Sequence, residues 1–262
     1  MSVEESFVLT ETDGPVATLT LNRPSQFNAL SSSMLTALQA ALDEVRVNRE
    51  ILVVVLAGAG RAFCAGHDLR EMRAHPEKQW LSALFTQCSK VMLSIDQMPQ
   101  AVIARVQGVA TAAGCQLVAA CDLAIAAHSA KFATSGVNLG LFCSTPAVAI
   151  TRSLAAKYAA ELLFTGDFIT AEQAERWGLI NRVVDEGTLT QSAGDWAQAI
   201  ASKSGAAIMS GKALLRQQRS LSLADAYAAA GENMALDMLT EDANRGVDAF
   251  LNKQPSPEWT HR

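Results

Sequence analysis

Six consecutive apolar residues, Ile51-Leu52-Val53-Val54-Val55-Leu56, run without a polar interruption toward Gly58-Ala59-Gly60. A strand with one wet face alternates, whereas an unbroken apolar run suits a strand covered on both faces, as in parallel sheets flanked by helices. Val16-Ala17-Thr18-Leu19-Thr20-Leu21 alternates instead and stops at Asn22-Arg23-Pro24, the pattern of a half-buried strand. Residues 101–106 and 123–127 read as two more strands. Between them lie helical patterns at 31–46, 78–94, 112–120, 146–156, 171–177 and 189–203. The first of these has Met34, Leu35, Leu38, Leu42 and Val45 on one stripe, with Ser31 to Ser33 available as N-cap. Strands alternating with helices at these intervals imply an α/β chain of repeated strand–helix units with right-handed crossovers.

No strand pattern follows Ala206. Leu223, Tyr227, Ala230, Met234 and Met238 form an apolar stripe, a second helix is expected over 241–251, and Pro255 and Pro257 mark an irregular end. Such a helix pair cannot bury its own stripe, so it must dock on the core or on another copy of the chain. The expected organisation is a core over residues 1–200 and a helical region over 201–262.

The 262 residues are half hydrophobic and carry a formal charge of −5, enough chain for a sizeable core. No basic run has the density that nucleic acid requires, so an anionic ligand would need a local cluster of Arg and Lys. The longest uncharged stretch, residues 132–151, includes Thr134, Ser135, Gly136, Asn138, Gly140, Ser144 and Pro146. That content is wrong for a lipid-facing helix, so no membrane partner is expected and the stretch reads as buried and close to a ligand. Met1-Ser2-Val3-Glu4-Glu5 is acidic and unlike a targeting segment. The five cysteines, Cys64, Cys88, Cys115, Cys121 and Cys143, are odd in number and lack C-x-x-C spacing. They read as free thiols in a reducing cytoplasm, and no metal-ligand spacing links them to the histidines.

Two glycine-containing segments stand out. Ala65-Gly66-His67 offers a turn in which small residues let the main chain approach a ligand, with His67 N–H as donor. Ala112-Ala113-Gly114 opens a helix whose first amides lack intrahelical partners and whose dipole favours negative charge. Two such donors on one carbonyl oxygen would stabilise an enolate or tetrahedral oxyanion, each contributing roughly 3–4 kcal/mol. Taken alone, such turns also serve purely structural ends. Gly58-x-Gly60 is too short for a dinucleotide fingerprint.

The combination resembles the crotonase (enoyl-CoA hydratase/isomerase) superfamily along nearly the whole chain. The matching residues are Leu21 to Pro24 with Asn28-Ala29-Leu30, Gly60 to Leu69, Gly108 to Leu117, Cys121-Asp122-Leu123, Phe132, Leu139-Gly140, Leu163 to Gly166, and Ala171 to Ala174 with Gly178-Leu179. The resemblance implies a ClpP-like spiral of ββα units with a C-terminal helical oligomerisation region, assembled as a homotrimer or dimer of trimers. It implies an acyl-CoA thioester as ligand, with coenzyme A as part of the substrate and no other cofactor or metal. The oxyanion donors fall on His67 and Ala113, and coenzyme A contacts on Arg23, Ala29, Ala65, Asp68 and Leu69. Arg70 and Lys253 are the implied phosphate partners, and Gly114, Leu139, Gly140 and Cys143 complete the implied substrate contacts.

Hydratases of this family place and protonate water with two glutamates, whose positions here hold Gln116 and Gly136. A neutral amide orients water but accepts no proton at neutral pH, and glycine does neither. The position of the isomerases' carboxylate falls near Ser144. Weak hydratase turnover is therefore expected. Gly-His-Asp with Val-Asn-Leu-Gly also resembles methylmalonyl-CoA decarboxylase, whose reaction chiefly needs oxyanion stabilisation and whose tyrosine aligns with Cys143. A thioesterase using Cys143, which would need a lowered thiol pKa and a base, and a non-catalytic acyl-CoA binder are the other readings. The His67 side chain is the remaining group that titrates near neutrality.

Overall fold

The computed structural model describes residues 6–261; the acidic amino-terminal segment 1–5 lies outside them. Strands β1 (Val8–Asp13) and β2 (Val16–Leu21) form an antiparallel hairpin, and α1 (Ser32–Val47) follows, capped by the Ser31 hydroxyl accepting from Met34 N–H. All five residues of the stripe read from the sequence are buried. Next come β3 (Val53–Gly58) and β4 (Ala62–Cys64), then α2 (Leu69–Ala74) and α3 (Lys78–Gln97). The pattern repeats as β5 (Ala101–Val106), β6 (Val109–Thr111) and α4 (Ala113–Ala120), and again as β7 (Leu123–Ala127), β8 (Lys131–Ala133), a 3-10 turn at Ser135–Leu139, α5 (Ser144–Ser153) and α6 (Ala156–Thr165). β9 (Ile169–Thr170), α7 (Ala171–Trp177) and β10 (Arg182–Val184) close the sheets.

The first strand of each repeat joins one six-stranded sheet, ordered β1-β2-β3-β5-β7-β10, and the second joins a four-stranded sheet, ordered β4-β6-β8-β9. From β2 to β10 the large sheet is parallel, so the chain winds as a spiral of ββα turns. Alternate residues feed two separate cores. Val53, Val55, Ile103 and Ile125 pack against Leu189, Ala193 and Ala197 of α8 (Leu189–Ala201). Val54, Leu56, Val102 and Ala104 face the main core with Leu35, Leu38 and Leu42 of α1 and Val91 and Ile95 of α3. That two-sided burial is why residues 51–56 carry no polar interruption.

Helices α9 (Gly205–Gln218), α10 (Leu223–Asp237) and α11 (Glu241–Leu251) complete the chain. Lys212 on α9 donates to the Ile95 and Gln100 carbonyls, each at 2.9 Å, and to Asp122 at 2.6 Å. Asp122 also accepts from Val102 N–H at 2.8 Å, which ties α9 to the start of β5. Among the described residues the apolar stripe of α10 stays largely uncovered: Leu223, Tyr227, Met234 and Met238 are exposed, and Ala230 is half-buried. The uncharged stretch is not uniformly buried either. Phe132 and Thr134 are enclosed, whereas Leu139, Leu141, Phe142 and Val148 face outward.

Candidate functional site

Leu30 and His67 form an isolated parallel bridge. Leu30 N–H donates to the Gly66 carbonyl at 2.8 Å and the Leu30 carbonyl accepts from Asp68 N–H at 3.3 Å. In a parallel pairing the intervening amide points the other way, so His67 N–H is turned from Leu30 and has no acceptor among the described residues. Asn28 pins this segment: its buried side chain donates to the carbonyls of Ala59, Ala62 and Phe63 at 2.8–3.1 Å and accepts from Arg23 N–H at 2.8 Å. Asn28 belongs to the matching segment Asn28-Ala29-Leu30, but its role as the pin of this turn is visible only in the structure. It adopts φ +54°, which asparagine tolerates better than most residues.

The second donor comes from α4. Ala112 precedes it with φ +51°, held by its N–H donating to the Ala133 carbonyl at 3.0 Å. A non-glycine residue in that region is strained, and the strain aims the first amides of α4. The two halves of the site meet at Gly66, which has φ +90°. A β-carbon built on Gly66 would stand 2.9 Å from Ala112 Cβ and 3.3 Å from Ala113 N, so only glycine fits. Gly114 serves the same closeness on the other side, since its β-carbon would meet the Cys64 carbonyl oxygen at 2.1 Å. The loop carrying His67 N–H is thus pressed directly onto the helix start carrying Ala113 N–H.

The His67 ring lies inward. Nδ1 is 3.4 Å from the Leu30 carbonyl, the ring meets Phe85 edge-on at 5.3 Å, and Nε2 is enclosed without a partner. Burial lowers its pKa below the ordinary 6.5, opposed by the Leu30 carbonyl and by the charge of Glu71, so the ring is neutral at pH 7. Glu71, a carboxylate the sequence reading did not single out, accepts from Ser32 N–H at 2.9 Å and from the Ser32 hydroxyl.

Gln116, one turn into α4, is 4% exposed and its side chain makes no hydrogen bond to the described residues. Gly136 lies in the 3-10 turn, joined to the α4 entrance by the Thr111–Ser135 hydroxyl pair at 2.9 Å. A β-carbon on Gly136 would lie 2.6 Å from the Leu141 carbonyl oxygen and 2.7 Å from Cys143 Sγ. The space in which a side chain at 136 would begin is therefore already filled. Burial pushes the Cys143 thiol up despite a hydrogen bond to the Gly136 backbone, and raises Cys64, Cys88 and Cys115 to about 12.

The remaining expected residues fall around this centre with unequal freedom. Ala29 and Ala65 line the Asn28 turn, where Ala65 N–H donates to the Phe27 carbonyl at 3.0 Å. Arg23 is committed: it donates to Ser31 at 2.9 Å and to Gln26, lies 3.6 Å from Asp68 and stacks over Phe7. Asp68 caps α2 through Arg70 and Glu71 N–H. Leu69, Arg70, Leu139 and Gly140 are exposed, as is Lys253 beyond α11. A separate cavity of about 370 Å³, lined in part by Asp237, Asp242, Gly246 and Trp259, contains none of these residues.

Comparison with known proteins decides what this arrangement belongs to. The family model for enoyl-CoA hydratase/isomerase matches residues 11–262. The chain belongs to the enoyl-CoA hydratase/isomerase family. It is 40% identical over 246 residues to the rat protein "Enoyl-CoA hydratase domain-containing protein 3, mitochondrial", covering 94% of this chain and 82% of the relative. The crystal structure of enoyl-CoA hydratase from Mycobacterium smegmatis superposes with a TM-score of 0.95 at 49% identity, covering 97% and 99% of the two chains. The human enoyl coenzyme A hydratase domain-containing protein 3 gives 0.93 at 38% identity, covering 96% and 99%. These likenesses settle the crotonase fold expected from the sequence. One expectation falls: the cytoplasmic location is withdrawn, because the rat, mouse and human relatives are by name mitochondrial. Free thiols are not peculiar to the cytoplasm, so the cysteines do not restore that expectation.

Proposed function

We propose that this chain binds an acyl-CoA thioester with its carbonyl oxygen between His67 N–H and Ala113 N–H and stabilises a thioester enolate there. The observation that carries this reading is Gly66, whose missing side chain lets the loop carrying His67 lie against the start of α4, where neither His67 N–H nor Ala113 N–H has an acceptor among the described residues. Their dipoles are fixed before substrate arrives, so no reorganisation is needed as charge develops on the oxygen. Arg23, Ala29, Ala65, Asp68, Leu69, Arg70 and Lys253 are proposed to hold the coenzyme A portion, and Gly114, Leu139, Gly140 and Cys143 the rest of the substrate.

Efficient hydration is not part of the proposal. Gln116 cannot serve as a base, Gly136 offers no carboxylate, and the enclosed His67 ring presents neither nitrogen to a ligand. A reaction in which the enolate arises without a protein base, such as loss of carbon dioxide from a malonyl-type thioester, suits the site better. The raised pKa of Cys143 weighs against thioester attack by its thiol. The loss of a carboxylate at both 116 and 136 also supports a second reading, a non-catalytic acyl-CoA binder.

The exposed apolar residues of α10, with Phe250 and Leu251 on α11, support a homotrimer or dimer of trimers built through residues 201–262 on a core of 1–200. A mass-spectrometric screen of the purified protein against acyl-, enoyl- and malonyl-type CoA esters tests the function. Release of carbon dioxide supports enolate catalysis, tight binding without turnover supports the binder, and rapid hydration of crotonyl-CoA refutes the expectation of weak hydratase turnover.

A further inference from the structure

We propose that Asn28 is the register peg of the oxyanion hole, the positioning residue that keeps His67 N–H aimed at the thioester oxygen. The inference rests on the reading that His67 and Ala113 hold that oxygen. The run Ala65-Gly66-His67-Asp68 meets the 27–30 turn through few backbone bonds. Ala65 N–H donates to the Phe27 carbonyl at 3.0 Å, Leu30 N–H to Gly66 at 2.8 Å and Asp68 N–H to Leu30 at 3.3 Å. Leu30 and His67 form one isolated bridge, not a ladder. The backbone alone specifies register weakly in so short a pairing, and a slip by one residue reverses which amides face the partner. His67 N–H would then bond to the turn and be lost to the ligand.

Asn28 supplies what the bridge lacks. Its side chain is fully buried and donates to the Ala59, Ala62 and Phe63 carbonyls at 2.9, 2.8 and 3.1 Å, while Oδ1 accepts from Arg23 N–H at 2.8 Å. Ala62 and Phe63 belong to β4, which runs directly into Ala65, so these bonds fix where along the strand the turn sits. The same side chain holds a strained backbone, because Phe27 and Asn28 are consecutive non-glycine residues with φ of +52° and +54°. Such strain persists only where its surroundings over-determine it, and it gathers at ligand sites. Gly66 sets the spacing between loop and helix; Asn28 sets the position along the strand. Gln107 offers a comparison within the molecule. Its amide donates to the Gly58, Gly60 and Ala62 carbonyls at 2.8–3.1 Å, so its bonds stay within residues 58–62 and tie nothing to the turn.

Butyryl-CoA and S-butyl-CoA, the thioether that lacks only the carbonyl oxygen, test this by isothermal titration of the full chain. The wild-type protein is expected to bind butyryl-CoA about 100-fold more tightly, two hydrogen bonds at about ten-fold each. Asn28→Gly removes the donors but tolerates the left-handed turn. It is expected to lower that ratio to about ten-fold, with S-butyl-CoA affinity little changed. The infrared band of bound, carbonyl-labelled butyryl-CoA should move back toward its solution frequency in the same variant. Gln107→Ala should keep the wild-type ratio and band, although it too melts earlier. An unchanged ratio and band in Asn28→Gly overturn the proposal, and so does an equal loss in Gln107→Ala, which would make any loosening of the loop sufficient. If Asn28→Gly does not fold, Asn28→Asp decides, since its carboxylate keeps the size and the bond from Arg23 N–H but cannot donate. Equal wild-type affinities for the two ligands refute the underlying thioester hole, whereas a wild-type ratio shared by the Asn28 variants refutes only the peg.

Discussion

Gly66→Ala is the smallest change that pries the two halves of the site apart. The new methyl would sit 2.9 Å from Ala112 Cβ and 3.1 Å from the Thr111 carbonyl oxygen. Carbon atoms rest at about 3.5–4.0 Å, so loop and helix must separate by roughly 0.6–1.1 Å. Alanine must also adopt φ +90° or rotate out of it, a strain of about 1–3 kcal/mol. At roughly 2–4 °C per kcal/mol for a chain of this size, melting should fall by about 2–12 °C, leaving a folded protein at 20 °C. A donor displaced by about 1 Å costs on the order of 100-fold in the function it supports. The assay is titration of an acyl-CoA and of free CoA against wild type and variant, with a thermal melt as control. Thioester affinity should fall much more than free CoA affinity, because only the thioester carbonyl uses the hole. A folded Gly66→Ala protein that keeps its preference for the thioester over CoA would refute the reasoning.

Further outcomes follow from the same geometry. Restoring both family carboxylates with Gln116→Glu plus Gly136→Glu should not restore hydratase activity, because the side chain at 136 must displace the Leu141 carbonyl or Cys143 Sγ; the overpacking should cost about 1–3 kcal/mol in urea unfolding, and brisk crotonyl-CoA hydration by the double variant would contradict this. Asp242 is buried, which raises its pKa, but hydrogen bonds from Ser204, Thr260 and His261 outweigh burial and hold it below the ordinary 3.8. Its contribution is therefore complete above that value and disappears as acid protonates it, so the 259–261 segment should detach at low pH, and Asp242→Asn should detach it at pH 7, read by Trp259 fluorescence. His67 acts in the same direction, since a group whose folded pKa is lowered stabilises the fold only while neutral, giving a loss of stability that begins as pH drops below about 6.5. Cys64, Cys88 and Cys115, raised to about 12, should resist alkylation at pH 7.5 and react only after unfolding, as counted by mass spectrometry.

How far the sequence discloses this molecule varies with the length of each element. Strands β2, β5 and β7 and helix α1 are legible because five or more residues repeat a pattern of burial, whereas α7 and α11 lie where expected with only two buried residues each. The four strands of the small sheet span two or three residues each and carry no period to detect. β1 escapes because five of its six residues are exposed and two are acidic. The expected helix at 146–156 ends instead at Ser153 and restarts at Ala156, a break with no glycine or proline to announce it. At the site, the glycines and Gln116 announce themselves, but three controlling facts are tertiary. Gly66 matters because of Ala112, Gly136 because of Cys143, and His67 because its ring turns toward Phe85. None of these pairs is adjacent in the chain.

The central claim is that His67 N–H and Ala113 N–H together hold a thioester carbonyl. Isotope-edited infrared spectroscopy of a carbonyl-labelled acyl-CoA tests it directly, because two hydrogen bonds on one oxygen weaken the C=O bond. The bound thioester band should move to lower frequency than in water, and the shift should vanish or shrink in Gly66→Ala at saturating ligand. A bound thioester whose carbonyl band stays at its solution frequency would contradict the account.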